Sequence, residues 1–281
     1  MTRDEIEALL DEVVTLPSLP RNINHITQLV NAPDTALAEL GQAIAVDPAF
    51  AIKTLRLANS ASYGRRNPVT SVDLAVTMLG VKVIRNLVFT AMIGETLRGA
   101  ESLLRHSVGC GLAMQLLAER QGPASPLEPD EAFTYGLLHD IGKVVFKTYA
   151  PAEGAEAERV AQERGISLNE AERSVLGLDH AELGAMLAAR WRLPEQLTEA
   201  IAGHHRISAC SDPVVRRIAA TLALADSICS FGGLPAGTEV MDEIGEEDWE
   251  LTQMRKSDLP MVLDDFFASL ISLDELIGLA A

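Results

Sequence analysis

The chain has 281 residues, 48% hydrophobic, 22% charged and only 4% aromatic. That supplies one large or two small domains, excludes global disorder, and favours a helical Leu/Ala/Ile/Val core over an aromatic-rich β-sandwich. Twenty-three Lys and Arg against forty Asp and Glu give a net charge of −17, a field that argues against nucleic acid and anionic membrane as partners.

Cys110, Cys210 and Cys229 form no CxxC pair, and so sparse a set fits a reducing cytoplasm. The N-terminus carries acids where a secretory signal needs a basic region. No run of about 18 uncharged apolar residues suggests a membrane span. A cytoplasmic location is expected.

Ile6, Leu9, Leu10, Val13 and Val14 recur at helical spacing and predict a helix over 1–15, stopped by Leu16-Pro17-Ser18-Leu19-Pro20. Ile23, Ile26, Leu29 and Val30 mark a second helix, and a third runs from Thr35 to Val46. Asp47-Pro48 is a capped start for the next, which frays at Asn59–Gly64. Ser71 caps a helix over Val72–Leu79 that Gly80 ends, and Val81–Leu97 reads as a central apolar helix.

Arg98-Gly99-Ala100 is a boundary. Beyond it, helices are predicted over Glu101–Arg120 and over Asp130–Tyr149, the latter with a break near Gly136. Ser167-x-x-Glu170 and Asp179-x-x-Glu182 match the capping box, the second opening a helix over His180–Trp191. Pro194 starts a helix reaching His204-His205, and Asp212-Pro213 starts one reaching Cys229. Phe231–Gly237 reads as a linker before an apolar tail of one or two helices. The resulting division is 1–98, 99–232 and 233–281, all α-helical.

Five of the six histidines fall in one ordered series: His106, His139-Asp140, His180 and His204-His205, followed by Asp226. Imidazole suits iron, zinc, nickel and manganese, and a carboxylate can bridge two ions. Helical bundles build such sites from side chains on separate helices. Asp226 sits in Leu222-Ala223-Leu224-Ala225-Asp226, where an unpaired carboxylate would be costly. Lys143 follows His139 by four residues and Asp140 by three, so a continuing helix places its ammonium near their face. Taken singly, each residue has an ordinary alternative. His106 could be a packed histidine, His180 a surface residue beside a cap, and His204-His205 a complement to a helix C-terminus. Asp226 could pair with Arg216 or Arg217. The cysteines read as small buried apolar residues. No Walker or Rossmann phosphate loop is present.

Residues from about 10 to 230 resemble the HDOD family of bacterial signalling output domains. The resemblance rests on Leu16-Pro17-Ser18-Leu19-Pro20, Val46-Asp47-Pro48, Leu55-Arg56-Leu57-Ala58-Asn59-Ser60, Tyr63-Gly64 and Ala75–Gly80. It implies an all-α fold, an N-terminal helical subdomain with an HD-like helical core, and a cytoplasmic regulatory role coupled to two-component or cyclic-di-GMP signalling. His139-Asp140-Ile141-Gly142-Lys143 is similar to the signature of HD metal phosphohydrolases, above all the HD-GYP phosphodiesterases. That likeness implies one ion held by His106, His139, Asp140 and Asp226. Asp140 would bridge to a second ion held by His180, His204 and His205. Asp140 and Lys143 would be the catalytic residues. The Gly-Tyr-Pro segment of those enzymes is absent after His205, where Arg206-Ile207-Ser208 follows. The expectation is therefore a regulatory module with a two-ion centre of Fe, Mn, Zn or Ni, acting through a protein partner or a ligand. The alternative is a metal-dependent phosphohydrolase acting on a nucleotide or cyclic dinucleotide.

Overall fold

The computed structural model describes residues 23–32, 34–59, 68–96, 101–191, 193–235 and 245–280, with Ile6 and Leu10. The helix expected over 1–15, the Leu16–Pro20 stop, the Tyr63-Gly64 motif and the boundary at 98–100 lie outside the described residues. Those residues form α-helices and short 3-10 turns, with no strand among them. The chain divides into two compact units, 17–96 with 270–281 and 1–16 with 97–269.

In the first unit the helices are α1 (Ile23–Asn31), α2 (Leu37–Ala45), α3 (Pro48–Ala58) and α4 (Val72–Thr96). The Asp47 carboxylate accepts the Phe50 N–H at 3.1 Å, which fixes the start of α3. Gly80, at φ 75° and ψ 167°, divides α4 into the two expected helical stretches. Val72–Ala91 is long and apolar enough to cross a membrane, but half of it is buried in the protein, where α4 packs on α1, α2 and α3. The Asn59 side-chain amide donates to the Val69 carbonyl at 2.8 Å and accepts its N–H at 2.7 Å. This gives the asparagine of the Leu-Ala-Asn-Ser motif a structural role, tying the end of α3 to the approach to α4.

In the second unit α5 (Glu101–Gln121) packs along α6 (Pro129–Leu138) and against α12 (Pro213–Phe231). Between them come α7 (Ile141–Tyr149), α8 (Pro151–Arg164), α9 (Leu168–Leu176), α10 (His180–Arg190) and α11 (Glu195–Gly203). α10 packs on α7 and α11, and α9 on α8. Val108, Leu117, Leu137, Leu187, Ile218 and Leu222 lie in the buried core. After α12 follow α13 (Glu246–Leu251) and the start of α14 (Leu259–Ala280), whose residues from 270 onward belong to the first unit.

Several details differ from the expectation. The break in 130–149 falls at His139-Asp140, and Gly136 stays helical. Its role is a close approach: a β-carbon there would lie 2.2 Å from the Cys110 carbonyl oxygen of α5. Ser167 stands at the N-cap of α9 without a side-chain cap hydrogen bond, so no capping box forms with Glu170. The Asp179–Glu182 box does form, with hydrogen bonds of 2.8 and 3.2 Å. Phe231, expected in the linker, ends α12.

Candidate metal centre

The His/Asp series is gathered from several helices and helix ends of the second unit. His106 lies within α5 and Asp226 within α12. His139 and Asp140 fill the break between α6 and α7, His180 begins α10, and His204 caps the C-terminus of α11 with His205 next. Gly142 brings α7 and α10 together, since a β-carbon there would lie 1.9 Å from the His180 carbonyl oxygen. All seven side chains converge. His106, His139, Asp140 and His180 are fully buried, whereas the Asp226 carboxylate is 25% exposed, which leaves the cluster open to solvent on that side.

Asp140 is the centre of the arrangement. Its Oδ2 lies 3.5 Å from His106 Nε2 and 3.4 Å from His139 Nε2. Its Oδ1 lies 3.3 Å from His180 Nε2 and 3.8 Å from His204 Nε2. The two oxygens thus face two separate pairs of imidazoles. Aspartates at helix N-caps ordinarily accept their own helix's first amides, as Asp47, Asp179 and Asp212 do. Asp140 occupies the N-cap of α7 and makes no such bond. Neither oxygen accepts a well-aligned hydrogen bond, and neither does His204 Nε2. The Lys143 ammonium, 2.9 Å from Oδ2, offsets part of the cost of burying this carboxylate, while Oδ1 meets only imidazoles.

The imidazoles are oriented in one sense. Nδ1 of His106 donates to the Leu234 carbonyl, that of His139 to Gly136 and that of His204 to Ile201, each at 2.7 Å. His180 Nδ1 donates to the Glu172 carboxylate at 2.6 Å, and Glu172 also accepts the His180 backbone N–H at 2.8 Å. Carbonyls only accept, so Nδ1 carries a proton and Nε2 is the atom turned inward. This is the outer-sphere pattern of metal-binding histidines.

The donor spacings fit divalent ions. Donors about 2.1 Å from one ion lie about 3.0 Å apart at octahedral angles and about 3.4 Å apart at tetrahedral angles. His106 Nε2 is 3.4 Å from His139 Nε2 and 3.3 Å from Asp226 Oδ1. His180 Nε2 is 2.9 Å from His205 Nε2. Two donor groups result: His106, Cys110, His139 and Asp226, and then Asp140, His180, His204 and His205. The Lys143 ammonium stands 2.9 Å from Asp140 Oδ2 across the helix start.

The electrostatics follow from burial and neighbours. Burial pushes His139 and His204 below the ordinary imidazole value, and neighbouring imidazoles add to it. Burial acts on His106 and His180 too, but Asp140 and Asp226 hold the first well above that value and Glu172 raises the second. Desolvation opposes ionisation of Asp140, yet His139, Lys143 and their neighbours keep its carboxyl well below the usual carboxylate range.

Sequence reasoning missed Glu172, the Leu234 carbonyl and the presence of Cys110 in the cluster. A signal for Glu172 existed: it shares one face of α9 with Leu168 and Leu176, an acid on an otherwise apolar stripe. Nothing marked Leu234, which acts through its backbone. The alternative pairing of Asp226 with Arg216 or Arg217 is not what forms. Arg216 meets Glu247, and Arg217 donates to the Ala124 carbonyl.

Comparison with known proteins places the chain. The HDOD domain model matches residues 16–207. An HDOD domain protein of unknown function from Geobacter sulfurreducens is 26% identical, with 98% of each chain covered and a TM-score of 0.75. A candidate phosphohydrolase from Shewanella amazonensis SB2B is 28% identical, with 98% of each chain covered and a TM-score of 0.73. An uncharacterised protein of Treponema pallidum (strain Nichols) is 26% identical over 228 residues, 80% of this chain, and this chain spans 44% of its length. The all-α architecture is shared with these solved structures, and the chain belongs to the HDOD family.

Proposed function

We propose that this chain is a regulatory signalling module built on a two-ion divalent-metal centre, acting in the cytoplasm by binding a protein partner or a small anionic ligand. One observation carries the reading: Asp140 is fully buried, gives up its own helix cap, and turns its two oxygens toward two different pairs of histidines. His106, His139, Asp140 and Asp226 hold the first ion, and Asp140, His180, His204 and His205 the second. Iron, manganese, zinc or nickel suits these donors. When bound, such ions supply Lewis-acid charge to a phosphate group and acidify water. Leu234, Gly136, Ile201 and Glu172 fix the histidine rings, and Lys143 places a cation where a phosphate oxygen can meet it. The missing Gly-Tyr-Pro segment after His205 weighs against cyclic-di-GMP hydrolysis.

A second reading, a phosphohydrolase acting on a nucleotide or cyclic dinucleotide, is favoured by Lys143. Its side chain is 8% exposed and its ammonium 2.9 Å from Asp140, suited to hold a phosphate oxygen or give a proton to the leaving oxygen. The Shewanella relative, itself a candidate phosphohydrolase, supports the same reading. The two part in a turnover assay on metal-replete protein with cyclic dinucleotides, nucleotides and a generic phosphodiester. The regulatory reading expects no product. Product formed by the native chain and lost in a folded Asp140→Ala variant would replace it with the hydrolase.

A further inference from the structure

We propose that Cys110 is a thiolate ligand of the ion on the His106 side of the centre, so that this position favours zinc or ferrous iron over magnesium or manganese. The inference rests on the two-ion reading above and goes beyond it in adding a sulfur donor. Cys110 follows His106 by one helical turn on α5, so both side chains leave the same face of the helix. It is fully buried, and its sulfur lies 3.6 Å from His106 Nε2. A sulfur about 2.3 Å and a nitrogen about 2.05 Å from one ion are about 3.1–3.8 Å apart at angles of about 90–120°, the range of a five-coordinate ion that also keeps Asp140. Donor atoms of Cys110, His106, His139 and Asp226 all lie within 4.8 Å of one another. The Cys110 sulfur therefore shares one small space with two imidazole nitrogens and a carboxylate oxygen.

Charge points the same way. Two divalent ions and the Lys143 ammonium are met in the cluster by the Asp140 and Asp226 carboxylates. A Cys110 thiolate would add a negative donor to those two, within 4.8 Å of the Asp226 carboxylate. Burial holds the free Cys110 side chain as the thiol. Coordination substitutes the ion for that proton, which passes to solvent. Soft sulfur then biases the position toward borderline ions. Cys229 is a neighbour in a different role: its sulfur sits 3.5 Å from the His106 carbonyl oxygen and 3.6 Å from that of Leu234, outside the donor group.

Cobalt(II) reports on this directly. The untagged full-length chain, loaded with cobalt without exogenous thiols, is expected to show an intense near-ultraviolet sulfur-to-cobalt charge-transfer band. Cys110→Ser and Cys110→Ala should lose that band while keeping the visible d–d bands and helical circular dichroism, and Cys229→Ser should keep it. A native chain that binds cobalt without the band, or a band unchanged in both Cys110 variants, overturns the thiolate and leaves the two-ion reading standing. A folded native chain that takes up no cobalt overturns both.

Discussion

Asp140 and Asp179 are both buried aspartates at helix N-caps, yet they do opposite things. Asp179 accepts the Glu182 N–H and pairs with Arg173, so its charge is satisfied inside the fold. Asp140 leaves its helix uncapped and turns to the histidines. The rare residues at this centre were legible in the sequence, because five of the six histidines and the His139-Asp140 pair stand out from the background. Glu172 did not, being one acid among forty, although it alone holds Nδ1 of His180 with a full charge. Replacing it as Glu172→Gln keeps an acceptor for Nδ1 and removes the charge. Affinity for the second ion should fall by about 10- to 100-fold, the usual cost of losing an outer-sphere carboxylate, with the first ion held as before. Competition with a chromogenic chelator measures both. An unchanged second affinity, or equal weakening of the two, would contradict the role given to Glu172.

Helix starts were the best-read elements. Asp47-Pro48 and Asp212-Pro213 place a carboxylate and a proline where a helix begins, and both caps form as local chemistry dictates. The break at His139-Asp140 was misplaced to Gly136 because a glycine in a helix reads as a breaker. What demands it there is the backbone of α5, a long-range contact that local sequence does not encode. Gly142 is the parallel case, pressed against the start of α10. Gly142→Ala must separate α7 from the His180 backbone, costing at least the ~1–3 kcal/mol of an overpacked core and weakening the second ion site. Gly154→Ala in α8 is the control: its new methyl meets Phe146 of α7 at an ordinary 3.7 Å, and it should be neutral or stabilising by up to ~1 kcal/mol. Thermal unfolding with metal content compares them, and a Gly142→Ala protein as stable and metal-replete as the native chain would refute the close-packing account.

Over the whole chain, the composition announced an all-α protein, since aromatic poverty and abundant Leu and Ala leave little for a sheet core. It could not announce which helices meet. That the series from His106 to Asp226 closes into one cluster depends on how α5, α6, α7, α10, α11 and α12 pack, and the spacing between His106 and Asp226 carries no trace of it. The likeness of His139-Asp140-Ile141-Gly142-Lys143 to the HD metal phosphohydrolases supplied that expectation, and the HDOD match over 16–207 supports the fold on which it depends. The net charge of −17 then sets the centre apart: in an acidic protein, Lys143 is buried beside the cluster that two cations would occupy. The account stands on those cations. Elemental analysis of untagged protein, beside His139→Ala and Asp140→Ala, should find about two divalent ions per native chain and a loss of both in a folded Asp140→Ala variant. Native protein that is folded yet metal-free, even after reconstitution with iron, manganese or zinc, would contradict it.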